Sequence, residues 1–295
     1  MVMAAKKTRG EKVFDIFNTG FLILICTTMV YPFLYVVSRS FMTDVDRSAH
    51  PFSLIPHEWT LEGYAFIFSS NSIILNSFKI TLFRTIVGTV FSLILECMFA
   101  YAISKKRYPL RNVLTIMIAF TMWFSGGLIP SYLLVRSLGF MDSLLVFIIP
   151  NAIGVWNVLI LRNFFSQIPD SIEESAMIDG ANEAVILFKL ILPLSTAALA
   201  TIGLFHVVGH WNEWFTGILY IRDPKKQPAM VILRQIIASA NAMNLNLEGE
   251  GSDYRPPSYI VRMAMISTIA FPIIVSYPFF QKYFAKGLLV GSIKG

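Results

Sequence analysis

The sequence predicts an all-α integral membrane protein with six transmembrane helices. Hydrophobic residues make up 55 % of the 295 residues and charged residues only 14 %, and the mean hydropathy is +0.63. A soluble domain carries about 25 % charged residues, because it needs a polar surface. The apolar residues also gather into six stretches that approach the ~20 residues needed for a helix to cross a bilayer. The chain therefore folds with lipid as its second solvent.

Each apolar stretch is expected to cross the bilayer as a helix, because an isolated lipid-exposed strand would leave its backbone unpaired. The approximate bounds are 16–38, 80–104, 112–135, 143–164, 187–214 and 260–281. Together they form a membrane domain over 16–284, between an N-terminal segment, 1–15, and a tail, 285–295. The first stretch is too long for the apolar region of a signal peptide, so we interpret it as a retained anchor. Gly126 and Gly127, just before Pro130, are expected to break the third span.

Basic residues predict the orientation. They precede the first span, fill the turn between the second and third spans and follow the sixth span, which places all three groups on one side. The positive-inside rule makes that side the cytoplasm, so both termini are expected there. The long loops 41–75 and 222–259 then face outside. In the second of these loops, apolar residues between Met230 and Ala240 recur at helical spacing, which predicts a short amphipathic helix.

A short helix is also predicted between spans four and five, on the cytoplasmic side. Ser171 and Glu174 have the spacing of a capping box behind Pro169, and the acidic residues Asp170 and Glu173 suit the positive end of a helix dipole. We expect this helix to cover 170–184.

One face of this helix would carry small residues. Ala176 and Gly180 are four residues apart, so another surface could approach the backbone closely there. Glu174 and Asp179 could pair with basic groups on a docking partner. Gly180 is costly inside a helix, so it either packs closely or ends the helix. From these residues alone, a solvated connecting loop explains the pattern better.

A longer pattern changes that interpretation. Glu174-Ser-Ala, followed by Gly180 and by Leu190-Ile-Leu-Pro193, resembles the EAA loop of binding-protein-dependent ABC importer permeases, with Ser175 for the usual alanine and Leu190 for the usual isoleucine. The resemblance implies a type I ABC importer permease architecture, in which this loop is the coupling helix that sits in a cleft of the ATPase subunit. The ATPase-coupling residues it implies are Glu174, Ser175, Ala176, Asp179, Gly180, Leu192 and Pro193.

The resemblance extends over nearly the whole chain. Leu54-Ile-Pro56 and Trp59 to Tyr64 in the first outer loop are similar to carbohydrate-importer permeases, and the glycine-rich tail resembles that of the smaller permease of maltose-type importers. In that family the tail inserts between the ATPases, which implies an ATPase interface at Lys286, Gly287, Gly291 and Gly295. Within this family, the sequence looks like the permeases for oligosaccharides and polysaccharides, alginate among them.

The resemblance also implies the partners. They are a homologous second permease subunit, an ATPase dimer that binds ATP and Mg, and an extracytoplasmic solute-binding protein, all acting at the bacterial cytoplasmic (inner) membrane. No cofactor is expected in this chain, and nucleic acid is not an expected partner, because the basic residues collect beside apolar spans.

Polar residues inside the spans are the candidates for a substrate path. His206, His210 and Glu213 share one face of span five, and a polar stripe toward the bundle interior explains them better than a metal site. Aromatic and amide side chains near the outer mouth could contact sugar, or the aromatics could form an interfacial belt. The substrate-path candidates are Asn151, Trp156, Asn157, His210, Trp211, Asn212 and Glu213. Glu96, the lone acid of span two, marks a polar pathway or pairs with a partner subunit.

Enzymatic function is not expected. The sequence has no Gly-x-x-x-x-Gly-Lys-Ser/Thr loop, no His-Glu-x-x-His helix and no Gly-x-Ser-x-Gly elbow. Cys26 and Cys97 lie far apart in apolar stretches without metal-binding spacing, so no metal is expected.

The predicted function is thus a permease subunit that couples ATPase closure to alternating access for an oligosaccharide or polysaccharide. An ion-coupled secondary transporter is the alternative, and a membrane scaffold or sensor is a third possibility.

Overall fold

The prediction of an all-α fold is confirmed. A computed structural model describes residues 8–69, 73–244 and 258–292, and within these ranges the regular structure is helical, with one isolated bridge between Met42 and Trp59. The helices are α1 (Arg9–Arg39), α2 (Asp44–Ala49), α3 (Glu62–Ile67), α4 (Ile73–Ser104), α5 (Arg111–Trp123), α6 (Leu128–Ser137), α7 (Val155–Phe165), α8 (Asp170–Ile178), α9 (Glu183–Ile186), α10 (Leu192–Leu194), α11 (Thr196–Asn212), α12 (Phe215–Tyr220), α13 (Ala229–Asn244) and α14 (Tyr259–Ser292).

The described helices include three that are long and apolar enough to cross a membrane unbroken: α1, α4 and the Tyr259–Phe279 part of α14. Two pairs of helices are long and apolar enough only when taken together, and both are bent: α5 with α6 at 116° and Glu183–Leu194 with α11 at 87°. The structure therefore has up to five spans by length and composition. The fourth expected span, 143–164, is instead a 3-10 turn at Leu144–Phe147 followed by the 11-residue α7. The count of six stays a prediction.

The breaks have local causes. Gly127, with φ +83°, separates α5 from α6, which confirms the expected break of the third span. A π-helical turn at Leu187–Ile191 and Pro193, which lacks an N–H, precede the bend at Ser195 in the fifth. Irregular backbone at membrane depth is tolerated where protein covers it. The expected helix in the second outer loop is α13, which starts at Ala229 and runs further than predicted, to Asn244.

The chain divides into two compact units, and each is described by itself. The first consists of Met1–Ser69 with Ile236–Ala270, and the second of Ser70–Gln235 with Phe271–Gly295. In the first unit the outer loop is fastened by the buried carboxylate of Asp46, whose Oδ2 accepts the backbone N–H groups of His57 (2.8 Å) and Glu58 (3.1 Å). In the second unit, α4, α7 and α11 enclose the main apolar core around Ala100, Leu161 and Ile202.

In the second unit, a predicted outer loop and a predicted cytoplasmic loop make contacts at different places along α4. Near its first residues, Asn76 donates to the carbonyl of Lys225. Just beyond its last residue, Lys105 pairs with Glu173. The side of the membrane on which each loop lies stays a prediction.

Asp142 ties two of the outer connections together. Its Oδ1 accepts the N–H groups of Asp223 (3.0 Å) and Arg222 (3.2 Å), and Lys226 Nζ lies 2.7 Å from its carbonyl oxygen. The N–H of Asp223 lowers the pKa of the carboxyl group most, and it outweighs the opposing effect of burial, with help from Arg222 and Lys226. Asp142 also has φ 55°, a region that asparagine tolerates far better than alanine.

We expect Asp142→Ala to lower the thermal stability of the purified protein and Asp142→Asn to lower it much less, because asparagine keeps the acceptor oxygen and the backbone conformation. Since the pKa of Asp142 is depressed in the folded state, its contribution is complete above the ordinary value of about 3.9 and is lost as the pH falls through the lowered one. As the pH is lowered from 7 to 3, the unfolding temperature of Asp142→Asn should fall less than that of the wild type. Parallel curves would contradict the role of the carboxylate.

Candidate functional site

The predicted coupling helix, 170–184, and the coupling residues Leu192 and Pro193 lie in one stretch, 170–193, which we call the coupling segment; it begins with α8. This helix starts at Asp170 behind Pro169 and has no side-chain cap, so the expected capping box of Ser171 and Glu174 is not formed. The reason is that Ser171 already lies within the first turn, where its carbonyl accepts the hydroxyl of Ser175 (2.9 Å). The acidic first turn, with Asp170 and Glu173, matches the expectation from the helix dipole.

Gly180 ends the helix and does not lie inside it. Its φ is +83°, its N–H bonds the carbonyl of Met177 (3.0 Å), and the N–H of Ala181 bonds the carbonyl of Ala176 (2.9 Å). These bonds form a Schellman motif, in which glycine supplies the left-handed residue. The expected single helix over 170–184 is therefore two helices, with α9 starting where Asn182 Oδ1 accepts the N–H of Val185 (2.9 Å).

The faces of α8 differ from the predicted ones. Ala176 and Met177 pack against the core of the second unit, so Ala176 does not share an exposed small face with Gly180. The outward face carries Glu174, Ser175 and Ile178, whose side chain is 86 % exposed. Ile178 was not among the predicted coupling residues, although its position four residues after Glu174 places it on the same helix face.

The end of α4 holds α8 and α9 through ion pairs. Lys105 pairs with Glu173, and both side chains are largely buried at 12 % and 6 % exposed. Arg107 pairs with Glu183, which also accepts the hydroxyl of Tyr101 (2.7 Å). These acids serve contacts within the chain and are not free for a partner.

Glu174 and Asp179 remain available to a partner. Both are exposed, and neither forms an ion pair within the described ranges. The pair of Lys106 with Asp170 (3.8 Å) is highly exposed. We define the candidate docking surface, called the docking surface, as the outward face of α8 with the Schellman turn: Glu174, Ser175, Ile178, Asp179 and Gly180.

The remaining predicted coupling residues lie further along the chain. Leu192 is packed against the core, and Pro193 is exposed in α10. In the tail, Lys286, Gly287 and Gly291 belong to α14, and Gly295 lies outside the described residues.

A buried polar centre joins α4, α7 and α11. The carboxylate of Glu96 is completely buried and accepts the N–H of Gly154 (2.7 Å) and the amide of Asn157 (3.2 Å), while His206 Nε2 lies 2.8 Å from its second oxygen. A Cβ on Gly154 would lie 3.1 Å from Glu96, so glycine permits this approach. Glu96 thus finds its partners within the chain, and Asn157 serves this centre.

A cavity of about 220 Å³ lies beside the polar centre, and we call it the inner cavity. Its polar lining consists of Arg84, Asn151, His206, His210, Glu213 and Thr216, and Phe147 and Phe205 contribute apolar walls. Three substrate-path candidates, Asn151, His210 and Glu213, are therefore brought together. Gly88 permits the close approach of His210, because a Cβ at Gly88 would lie 2.6 Å from the imidazole.

The other candidates lie elsewhere. Trp156 is 63 % exposed, and Trp211 is buried, but neither lines the inner cavity. Asn212 donates to the carbonyl of Val208 in its own helix (3.0 Å).

Arg84, the cation of the inner cavity, was not among the predicted substrate-path residues. The predicted span 80–104 contains both Arg84 and Glu96, and only Glu96 was treated as an intramembrane charge. An arginine inside an apolar stretch is itself a signal for a polar interior site.

Potential metal ligands meet in the first unit, at Asp46, His50 and His57, whose ligand atoms lie within 4.8 Å of one another. Asp46 Oδ1 already lies 3.0 Å from His50 Nδ1, and Oδ2 holds two backbone N–H groups. Both carboxylate oxygens of Asp46 thus already have hydrogen-bond partners within the loop.

Comparisons with known proteins agree closely with this architecture. The family model for the binding-protein-dependent transport system inner membrane component matches residues 83–290. A polygalacturonan/rhamnogalacturonan transport system permease protein, YtcP of Bacillus subtilis (strain 168), is 43 % identical over 97 % of this chain and 99 % of its own length. Protein LplC of the same organism is 39 % identical over 98 % and 97 %.

A solved structure is similar over the same extent. The crystal structure of a bacterial ABC transporter involved in the import of the acidic polysaccharide alginate contains a chain that is 32 % identical, with a TM-score of 0.84, and the match covers 95 % of this chain and 100 % of that one.

Proposed function

Because the chain belongs to the family of binding-protein-dependent transport system inner membrane components, we propose that it is the permease through which an ATP-driven importer moves an acidic oligosaccharide or polysaccharide. It is a multi-pass membrane subunit of an ABC transporter and not an enzyme. The ion-coupled transporter that the sequence left open has no support among the relatives.

The single observation that carries the coupling mechanism is the attachment of α8 to the end of α4. Lys105 and Arg107 follow α4 directly and hold Glu173 and Glu183 of the coupling segment. Arg84, on the same helix, lies about 32 Å from Lys105, since each helical residue rises about 1.5 Å. A displacement of α8 by a closing ATPase would therefore move α4 and, with it, one wall of the inner cavity.

The partners follow from this mechanism. An ATPase dimer, which binds ATP and Mg, receives the docking surface of α8, and a homologous second permease completes the pathway. A solute-binding protein delivers substrate to the opposite side. The basic turn at Lys105, Lys106 and Arg107 supports a cytoplasmic location for the docking surface and for both termini. Transport is then a population shift between inward-open and outward-open states, biased by nucleotide and by the loaded binding protein.

The names of the relatives support the substrate class. YtcP is a polygalacturonan/rhamnogalacturonan permease, and the solved transporter takes part in the import of the acidic polysaccharide alginate. Polygalacturonan consists of uronic acid units, each with a carboxylate. Arg84, which pairs with Glu213 in the wall of the inner cavity, has further N–H groups that can donate to such a carboxylate.

Reconstitution tests the function. We expect liposomes that contain this chain, the second permease and the ATPases to take up an oligogalacturonate only with ATP inside and binding protein outside. An ATPase variant that binds but does not hydrolyse ATP is the control, and it should take up none. Uptake driven by a proton or sodium gradient without ATP would contradict the proposal.

A further inference from the structure

Arg84 is a buried cation with a donor left over. Its side chain is 2 % exposed, and its guanidinium lies 4.5 Å from the centre of the Phe147 ring. Nη1 donates to the carbonyl of Glu213 (3.0 Å) and Nη2 to its carboxylate (3.1 Å). Nε has no hydrogen-bond partner among the residues that the structure describes. A buried N–H without a partner is unfavourable, and natural proteins rarely leave one without a reason.

Glu213 holds Arg84 in place and is itself fixed. Its Oε1 accepts the N–H of Thr216 (2.7 Å) in the first turn of α12, and its Oε2 accepts Arg84. Both oxygens are therefore committed. Guanidinium has five N–H donors in a rigid fork, so donors remain for a second acceptor beside Glu213.

The inner cavity offers the complementary groups for one sugar ring. Asn151 and His210 supply amide and imidazole groups for hydroxyls, while Phe147 and Phe205 supply apolar walls. The volume of about 220 Å³ lies below the ~300–1,000 Å³ of sites for drug-sized ligands. The space suits one ring at a time and not several.

We propose that the inner cavity binds the carboxylate of a single uronate unit through Arg84 as the acidic chain passes. This assigns a charge-selective substrate contact to this permease subunit. Carboxylate is the anion that matches the planar fork of arginine, and it would accept from guanidinium N–H groups that Glu213 leaves unused. Glu213 acts as a positioning residue, because it orients Arg84 and keeps the empty cavity from holding an uncompensated charge.

The inference rests on the proposed import function, and its test separates the two. The complete importer, with binding protein docked and a non-hydrolysable ATP analogue bound, is given a radiolabelled oligogalacturonate of three units, and the label retained per complex is counted. A carboxyl-reduced, neutral trisaccharide serves as the comparison ligand. Docking of the binding protein is measured in the same samples.

We expect the wild type to retain the acidic trisaccharide and not the neutral one. Arg84→Gln with Glu213→Gln removes both charges and should lower retention about 10- to 100-fold, as expected for the loss of charge-assisted hydrogen bonds. Arg84→Lys keeps the charge but loses the fork, so it should dock binding protein normally and still retain less. Arg136→Gln removes an exposed arginine at the end of α6 and should retain label like the wild type.

Three results would overturn the inference. They are unchanged retention in both Arg84 variants, equal retention of acidic and neutral trisaccharides by the wild type, and loss of assembly in both variants, which would assign Arg84 to structure alone. If the wild-type complex neither docks binding protein nor hydrolyses ATP with it, the proposed import function fails instead.

Discussion

Replacement of Ile178 by aspartate is expected to abolish uptake while leaving the protein folded and inserted. Ile178 is the exposed apolar side chain of the docking surface, so a carboxylate there would have to be desolvated when the ATPase cleft closes on it. A penalty of about 3 kcal/mol corresponds to at least a hundredfold loss of ATPase affinity. The measurements are co-purification of the ATPase from detergent and ATP-driven uptake in liposomes.

The matched control is Ile178→Leu, which keeps an apolar side chain of the same size and should bind the ATPase and transport normally. Because Ile178 is so exposed, neither variant should change the unfolding temperature appreciably. Normal uptake by Ile178→Asp would refute the docking surface. A tryptophan at Gly180 is a poorer test, because the left-handed backbone there would be strained by any bulky side chain, whether or not an ATPase docks.

Loss of either partner of the Lys105–Glu173 pair is expected to release α8 from the end of α4. The surviving charge would be left largely buried without a partner, which costs about 3–5 kcal/mol. We expect Lys105→Ala and Glu173→Ala each to accelerate hydrogen exchange and proteolysis across 170–183, and to lower uptake at least tenfold.

The exposed pair of Lys106 and Asp170 provides the control for this experiment. Lys106→Ala should have almost no effect, because exposed ion pairs contribute about 0–1 kcal/mol. The double variant Lys105→Met with Glu173→Leu replaces the buried pair by apolar side chains and should recover much of the protection. Equal exchange rates in wild type, Lys105→Ala and Lys106→Ala would show that the pair does not hold the segment.

The sequence predicted the helical membrane fold and the start of α8 because both leave periodic or local signals. Composition and apolar length reveal spans, and Pro169 and Gly180 bracket α8. The bend at Ser195 and the short α7 were not foreseen, since protein packing, and not local propensity, makes such breaks tolerable at membrane depth.

The contacts of charged residues could not be predicted in the same way. Glu96 meets His206 across 110 positions of sequence, and Arg84 meets Glu213 across 129. One sequence contains no record of such pairings, so the polar residues of the inner cavity appeared as separate candidates. The faces of α8 were misassigned for a related reason, because the contacts of Glu173 with Lys105 and of Ala176 with the core join residues far apart in the sequence.

The ion pairs between Lys105, Arg107 and the coupling segment have a consequence for how the protein is made. The basic turn leaves the ribosome about 70 residues before Glu173 and Glu183 do, which is several seconds at about 5–20 residues per second. During that interval its cations are unneutralised and free to hold the second and third spans in the correct orientation. In the predicted orientation, the positive-inside rule acts on these cations before the acids are made, and the same side chains afterwards join the finished subunit together.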